Sequence, residues 1–323
     1  MILQLGTAKV KKTCLLDISH PTVPACGLYS RFLTAERYSY FRPIMAARPR
    51  TRLLLILALP PVAIGYGIHR GLNALEARYP PLPAEPTTSI ALRTPANPST
   101  QFCAYIDVYA ARVPVKALLP RAQSTDAVPD KRKSTNFEIT SAWARAFIGN
   151  KIFRTEGSLV GLLAKGKFSP GDTGDTPAGF ASPDASGEPR TLLNGVFVVE
   201  RPPSEDDRDG LLVSWRMSDE PRRFFEKVAR WGYPWRLMSG GRHELSVSGP
   251  FDAVEDDESQ GPLVEVRFAS AHDYEIVPEE GALQHQKTIP GWTGRLHRGY
   301  ARLLLDCAVR ELKREYEKTG SRL

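Results

Sequence analysis

Signatures of metal and phosphate binding are missing from this 323-residue sequence. Its six histidines (His20, His69, His243, His272, His285 and His297) form no HExxH, and no two stand at the i,i+4 spacing of a helical metal site. Its four cysteines (Cys14, Cys26, Cys103 and Cys307) form no CxxC, too few for a structural zinc or a disulfide scaffold. Gly166, Gly171 and Gly174 sit in a polar stretch instead of between a strand and a helix, so no dinucleotide cradle is expected. No GxSxG elbow occurs. The acidic stretch Asp252, Glu255, Asp256, Asp257 and Glu258 lacks the spacing of a calcium loop and reads as a solvated hairpin tip. Asn97-Pro98-Ser99 is disqualified as a glycosylation sequon by its proline. The sequence therefore predicts neither a metal nor a cofactor.

Net charge is also absent where it would matter for nucleic acid. The total is +7, but residues 1–52 hold nine Lys/Arg against two acids, Asp17 and Glu36. The rest of the chain balances 34 bases with 34 acids. A nucleic-acid-binding domain needs its surplus on the folded part, so no nucleic-acid partner is expected. At 42% hydrophobic and 24% charged residues, the chain is neither wholly disordered nor polytopic.

What is present begins with Leu53 to Ile68, LLLILALPPVAIGYGI, sixteen residues without a charge. A spanning helix wants about 20 residues and manages with about 17. Pro60-Pro61 argues against a buried soluble helix. Residues 53–69 therefore read as a single-pass signal anchor, with the membrane as partner. Arg37, Arg42, Arg48, Arg50 and Arg52 upstream outweigh Arg70 and Arg78 downstream, which predicts a cytosolic N-terminus and a lumenal C-terminal domain. The alternative is a mitochondrial presequence followed by an inner-membrane anchor. Met45 opens a conventional signal-anchor start, so residues 1–44 read as disordered or as an upstream extension of the translated chain, within a basic segment 1–52. Residues 70–100, with six prolines after Arg78, read as an extended spacer.

A globular domain is expected over 101–323. Phe102–Val115 alternates as a strand, and Ile139–Ile148 and Ile152–Lys165 have helical spacing. Leu192–Glu200 and Leu211–Met217 read as a hairpin across the turn Pro202–Gly210. Asp219–Ala229 reads as a short helix, and Leu237–Val247 and Val264–Ile276 as further strands. From Thr293 to Tyr316, Leu296, Tyr300, Leu303, Leu304, Leu305, Ala308, Val309 and Leu312 form a broad apolar arc. Arg295, Arg302, Asp306, Arg310, Lys313 and Glu317 form the polar strip. Cys103 and Cys307 fall on the first strand and the final helix, where they read as core positions or as a single bridge.

A strand, two helices, four or more antiparallel strands and a long C-terminal helix resemble the START-like helix-grip superfamily over residues 101–318. The resemblance rests on element order and implies an α+β fold in which a curved antiparallel sheet wraps the final helix around an apolar pocket. The helix near 220–230 departs from the simplest pattern. Residues 288–312, TIPGWTGRLHRGYARLLLDCAVREL, also resemble the tail of poorly described fungal proteins, some associated with secondary-metabolite pathways.

Two groupings could carry chemistry. His272 and Tyr274 share one strand face, with Asp273 and Glu275 on the other, so His272 and Asp273 form no simple dyad. His297, Arg298 and Tyr300 open the final helix. His272, His297 and Tyr300 are thus the candidate catalytic residues, able to polarise a carbonyl or shuttle a proton. Trp231, Trp235, Tyr300 and Leu304 are the candidate lining of a pocket for a small apolar ligand. The expected function is a membrane-anchored binding or carrier domain for such a molecule, accessory to a fungal biosynthetic pathway. A cyclase or isomerase using the same cavity, and a mitochondrial inner-membrane assembly factor without a ligand, are the alternatives.

Overall fold

The computed structural model describes residues 49–122, 135–176, 178–181, 188–204, 210–251 and 262–320. The expectations for residues 1–48, for the acidic tip Asp252–Gly261 and for most of the Pro202–Gly210 turn lie outside the described residues. The chain divides into a unit Met1–Pro61, of which only the beginning of one helix is described, and a unit Val62–Leu323 that holds the sheet.

Helix α1, Pro49–Arg78, contains the whole apolar run, with Pro60 and Pro61 inside it. Among the described residues no helix is long and apolar enough to cross a membrane, so the expected spanning anchor finds no support. The physical reason is length: the uncharged run spans about 24 Å of helix against roughly 30 Å of hydrocarbon.

The expected spacer is corrected as well. Residues 70–78 are the end of α1, and the next stretch forms two single turns, α2 (Ala84–Thr87) and α3 (Ile90–Arg93). Leu92 is fully buried, packed with Val108, Leu212, Ala269 and Ala271 on one face of the sheet. The prolines here shape a strap that covers apolar strand residues, and covering them excludes more water than an extended spacer would.

Strand β1 (Gln101–Pro114) is followed by helices α4 (Val115–Ala122), α5 (Thr135–Ile148) and α6 (Lys151–Lys165). Next come the two-residue strand β2 (Thr191–Leu192), β3 (Phe197–Arg201), β4 (Leu211–Arg216) and helix α7 (Asp219–Arg230). The long strands β5 (Gly240–Phe251) and β6 (Leu263–Glu275) precede the final helix α8 (Gly291–Gly320). The fold is α+β: a curved six-stranded antiparallel sheet in the order β1-β6-β5-β4-β3-β2, with a long C-terminal helix. The expected strand Leu192–Glu200 is broken, because Leu193, Asn194 and Gly195 all take positive φ. Asn194 Nδ2 holds that kink by donating to the carbonyls of Gly157 (2.9 Å) and Ser169 (2.7 Å).

The main core lies between the sheet and helices α5, α6 and α8. Trp143, Phe147, Phe153, Phe197 and Phe268 pack there with Leu304, Leu305, Ala308 and Leu312. Trp143 Nε1 donates to the Arg267 carbonyl at 3.0 Å, so the indole is buried at little polar cost. The α8 pattern needs two corrections. Leu303 and Leu296 are exposed, whereas Arg302 and Asp306, expected on a solvated strip, are buried. The end of α1 covers that strip: Arg302 Nε donates to the Tyr79 carbonyl, and Asp306 Oδ1 accepts from Arg78 and from the Tyr79 hydroxyl, each at 2.9 Å. Cys103 and Cys307 are half-buried and free.

Candidate functional site

Pairing register places polar residues side by side on the face of the sheet that α8 covers. One row runs Asp107–Ser270–His243 across β1, β6 and β5. The neighbouring row runs Tyr105–His272–Gly241–Trp215. Glycine is required at 241, since a Cβ there would stand 2.3 Å from the Ala271 carbonyl oxygen and 2.9 Å from Trp215 Nε1. Against these rows lie His297 and Arg302 of α8. The His297 ring meets the His272 ring edge-on, with centroids 4.7 Å apart. Tyr105 lies against the same His272 ring at 4.6 Å, and the Arg302 guanidinium stands 4.3 Å from the centre of the Tyr109 ring.

Two polar groups converge on one nitrogen of His272. Ser270 Oγ is 3.2 Å from Nε2, and Asp107 Oδ2 is 3.7 Å from the same atom. A nucleophilic relay needs its hydroxyl and its carboxylate on opposite ring nitrogens, so these residues do not form one. His272 Nδ1, His243 Nδ1, Trp215 Nε1 and Arg302 Nη1 are buried without a hydrogen-bond partner. Asp107 Oδ2 and Tyr109 Oη make no hydrogen bond of ordinary length. Each such group costs about 1–3 kcal/mol. Burial, followed by the nearby His272 and Arg298 charges, brings His297 down to about 4, partly offset by Asp107. Burial likewise holds His243 well below the ordinary imidazole range. Burial and the Asp107 charge raise the Tyr109 hydroxyl.

His272 and His297, read separately from the sequence, are thus brought together. Tyr300, the third candidate, is not: its hydroxyl hydrogen-bonds Glu156 of α6. The expected pocket residues are scattered. Trp231 is 74% exposed, Leu304 is buried in the core, and Trp235 is half-buried against Tyr233 with ring centroids 5.3 Å apart. Asp107, Ser270 and His243 were missed, although a lone acid inside the apolar run of β1 was a visible signal.

The clefts formed by the described residues include these three. One of about 650 Å³ lies between Pro86–Thr88 and β5–β6, with the Glu244 carboxylate in its wall. A second, about 740 Å³, lies between α6 and the end of α8, and a third, about 400 Å³, lies beside Gly240 and Gly241. None of the three is lined by His272, His297, Trp231, Trp235, Tyr300 or Leu304. Among the described residues no group of three or more His, Cys, Asp or Glu is placed to hold a metal. Compared with known proteins, the chain matches no family model, no curated protein and no solved structure.

Proposed function

We propose that this chain is a membrane-held docking or assembly factor, a helix-grip-type domain with a filled core and no resident small ligand. The observation that carries this reading is an uncovered apolar helix beside a packed core. Every side chain of α1 from Val62 to Arg70 is exposed, including Ile64, Tyr66 and Ile68. A helix apolar around its circumference belongs in lipid or against an apolar partner. The space between α8 and the sheet, where a carrier would hold its ligand, is occupied by Phe268, Leu304, Leu305 and Ala308. The helix-grip reading draws support from β1 pairing with the last strand, and from helices α4–α6 standing between β1 and β2. The His272–His297 contact, with His272 fully buried and none of the three clefts lined by either ring, favours an enzyme less than a scaffold, because substrate needs a cleft that reaches it.

Flotation of the full chain with neutral phosphatidylcholine vesicles tests the membrane half of this reading. Co-flotation is expected, together with its loss in a Val62→Asp, Ile64→Asp variant. A chain that stays at the bottom of the gradient would overturn the membrane half. Titration with an apolar fluorescent probe tests the other half; saturable one-to-one binding would return the domain to the carriers.

A further inference from the structure

Helix α7 falls in the chain between the paired strands β4 and β5 and is the most sharply two-faced of the described helices. Its inner side buries Ala229 and half-buries Phe225 and Val228. Its outer side, at helical spacing, presents the acids Asp219 and Glu220 in the first turn and then Arg223, Phe224, Lys227, Arg230 and, just past the end, Trp231. Arg223 is paired with Asp219 at 2.9 Å. Lys227 Nζ lies 5.2 Å from the centre of the Trp231 ring. Two aromatic rings stand out on this face, with Phe224 60% and Trp231 74% exposed.

Hydrogen bonds around α8 place α7 near the start of that helix. Lys287 Nζ donates to the Ala229 carbonyl (2.8 Å) and Arg236 N to that of Thr288 (3.3 Å), which ties α7 to the segment leading into α8. The first turns of α8 are tied to α1, where Arg295 donates to Asn73 (2.6 Å) and Glu76 (2.8 Å). Further along, Arg78 meets Asp306, so α1 and α8 run in the same direction. The exposed stretch Val62–Ile68 therefore leads off past the start of α8, where Trp292 also stands exposed.

We propose that the outer face of α7, through Phe224, Lys227, Arg230 and Trp231, rests on acidic phospholipid headgroups beside the exposed stretch of α1. The proposal rests on the membrane reading above and names the second contact. Aromatic rings with a polar edge settle at headgroup depth, and a cationic amphipathic helix lies in that plane. Lys and Arg at an anionic surface supply the electrostatic part, which falls off within a Debye length. Acidic lipid is concentrated in the cytosolic leaflet. This contact therefore sets the folded part on the cytosolic side, against the arginine bias around residues 53–68.

The test compares binding of the full chain to vesicles of phosphatidylcholine alone and with phosphatidylserine added. Lys227→Ala/Arg230→Ala is expected to retain binding to the neutral vesicles and to lose about 30-fold of the gain from phosphatidylserine. In a parallel experiment, brominated lipid should quench tryptophan fluorescence less in Trp231→Phe. All three positions are exposed, so circular dichroism should report an unchanged fold. An undiminished phosphatidylserine gain in the double variant, or undiminished quenching in Trp231→Phe, overturns the proposal and leaves the face to solvent or a protein partner. Failure of the wild-type chain to bind neutral vesicles while the phosphatidylserine gain persists overturns the anchor reading and supports the α7 contact.

Discussion

Leu92→Ala, compared with Ile90→Ala two residues away, tests whether the strap before β1 belongs to the fold. Leu92 is fully buried against the sheet, whereas Ile90 is 74% exposed. Truncating a buried leucine costs about 2–5 kcal/mol, more where the surround cannot collapse. Here the surround is stiff. Ala269 and Ala271 are strand residues with no rotamers to rearrange, and the strap is pinned on both sides of Leu92. Arg242 Nε donates to the Leu92 carbonyl at 2.9 Å. The Ser89 amide and hydroxyl both donate to Glu244, a carboxylate otherwise met by Arg201 at 3.2 Å. A cost of about 3 kcal/mol is therefore expected for Leu92→Ala, and less than about 0.5 kcal/mol for Ile90→Ala. Ser89→Ala should cost about 1–3 kcal/mol, since it strips a donor from a buried carboxylate. A chain beginning at Asn97 would lose all three contributions, comparable to the whole stability of a typical domain, and should not unfold cooperatively. Urea denaturation followed by tryptophan fluorescence reads these values. Equal midpoints for Leu92→Ala and Ile90→Ala, or a cooperative chain starting at Asn97, would refute the reasoning.

Arg302→Ala should destabilise by about 2–3 kcal/mol, because it removes the donor to the Tyr79 carbonyl and the cation over Tyr109. Denaturation midpoints of Arg302→Ala and Arg302→Lys check this, with lysine expected to recover only the cation–ring part. Stability should also fall on mild acidification. Below pH 6.5 the unfolded chain protonates His243 and His297, while the folded chain, with His297 at about 4 and His243 well below its ordinary value, does not. The unfolded state then binds more protons, so unfolding becomes easier as pH falls, by about 1.6 kcal/mol for His297 between pH 6.5 and 5, with His243 acting in the same direction. Urea midpoints across pH 5–7, where ordinary carboxylates stay ionised, measure the slope; His297→Gln should reduce it, and a level wild-type profile would contradict the lowered values of both rings.

The periodicities of the chain were enough to place most elements of the domain. Alternation in β1 and β6, and helical spacing in α5, α6, α7 and α8, follow from local backbone geometry, which repeats every two or 3.6 residues whatever lies alongside. The order of those elements led to the antiparallel sheet, because neighbouring strands joined by short turns pair with each other. Periodicity fails where three successive positive φ angles break a strand at Leu193–Gly195; the local signal there is the Asn194-Gly195 pair, a positive-φ turn former, and not the spacing of apolar residues.

The contents of the site depended on the third dimension. The sequence named His272 and His297 separately, yet 24 residues intervene, and only the packing of α8 on β6 brings the rings together. Asp107, Ser270 and His243 come from three strands and share a row solely through register. Arg302 and Asp306 carry charges that mark a solvated strip on an isolated helix, but the end of α1 lies over them, and their partners Tyr79 and Arg78 are more than 220 residues away in the chain. The strap at Leu92 is hidden for the same reason, because its prolines describe only local stiffness. Local conformation is set by neighbours in sequence, and so it was legible; burial and pairing are set by neighbours in space, which no spacing along the chain records.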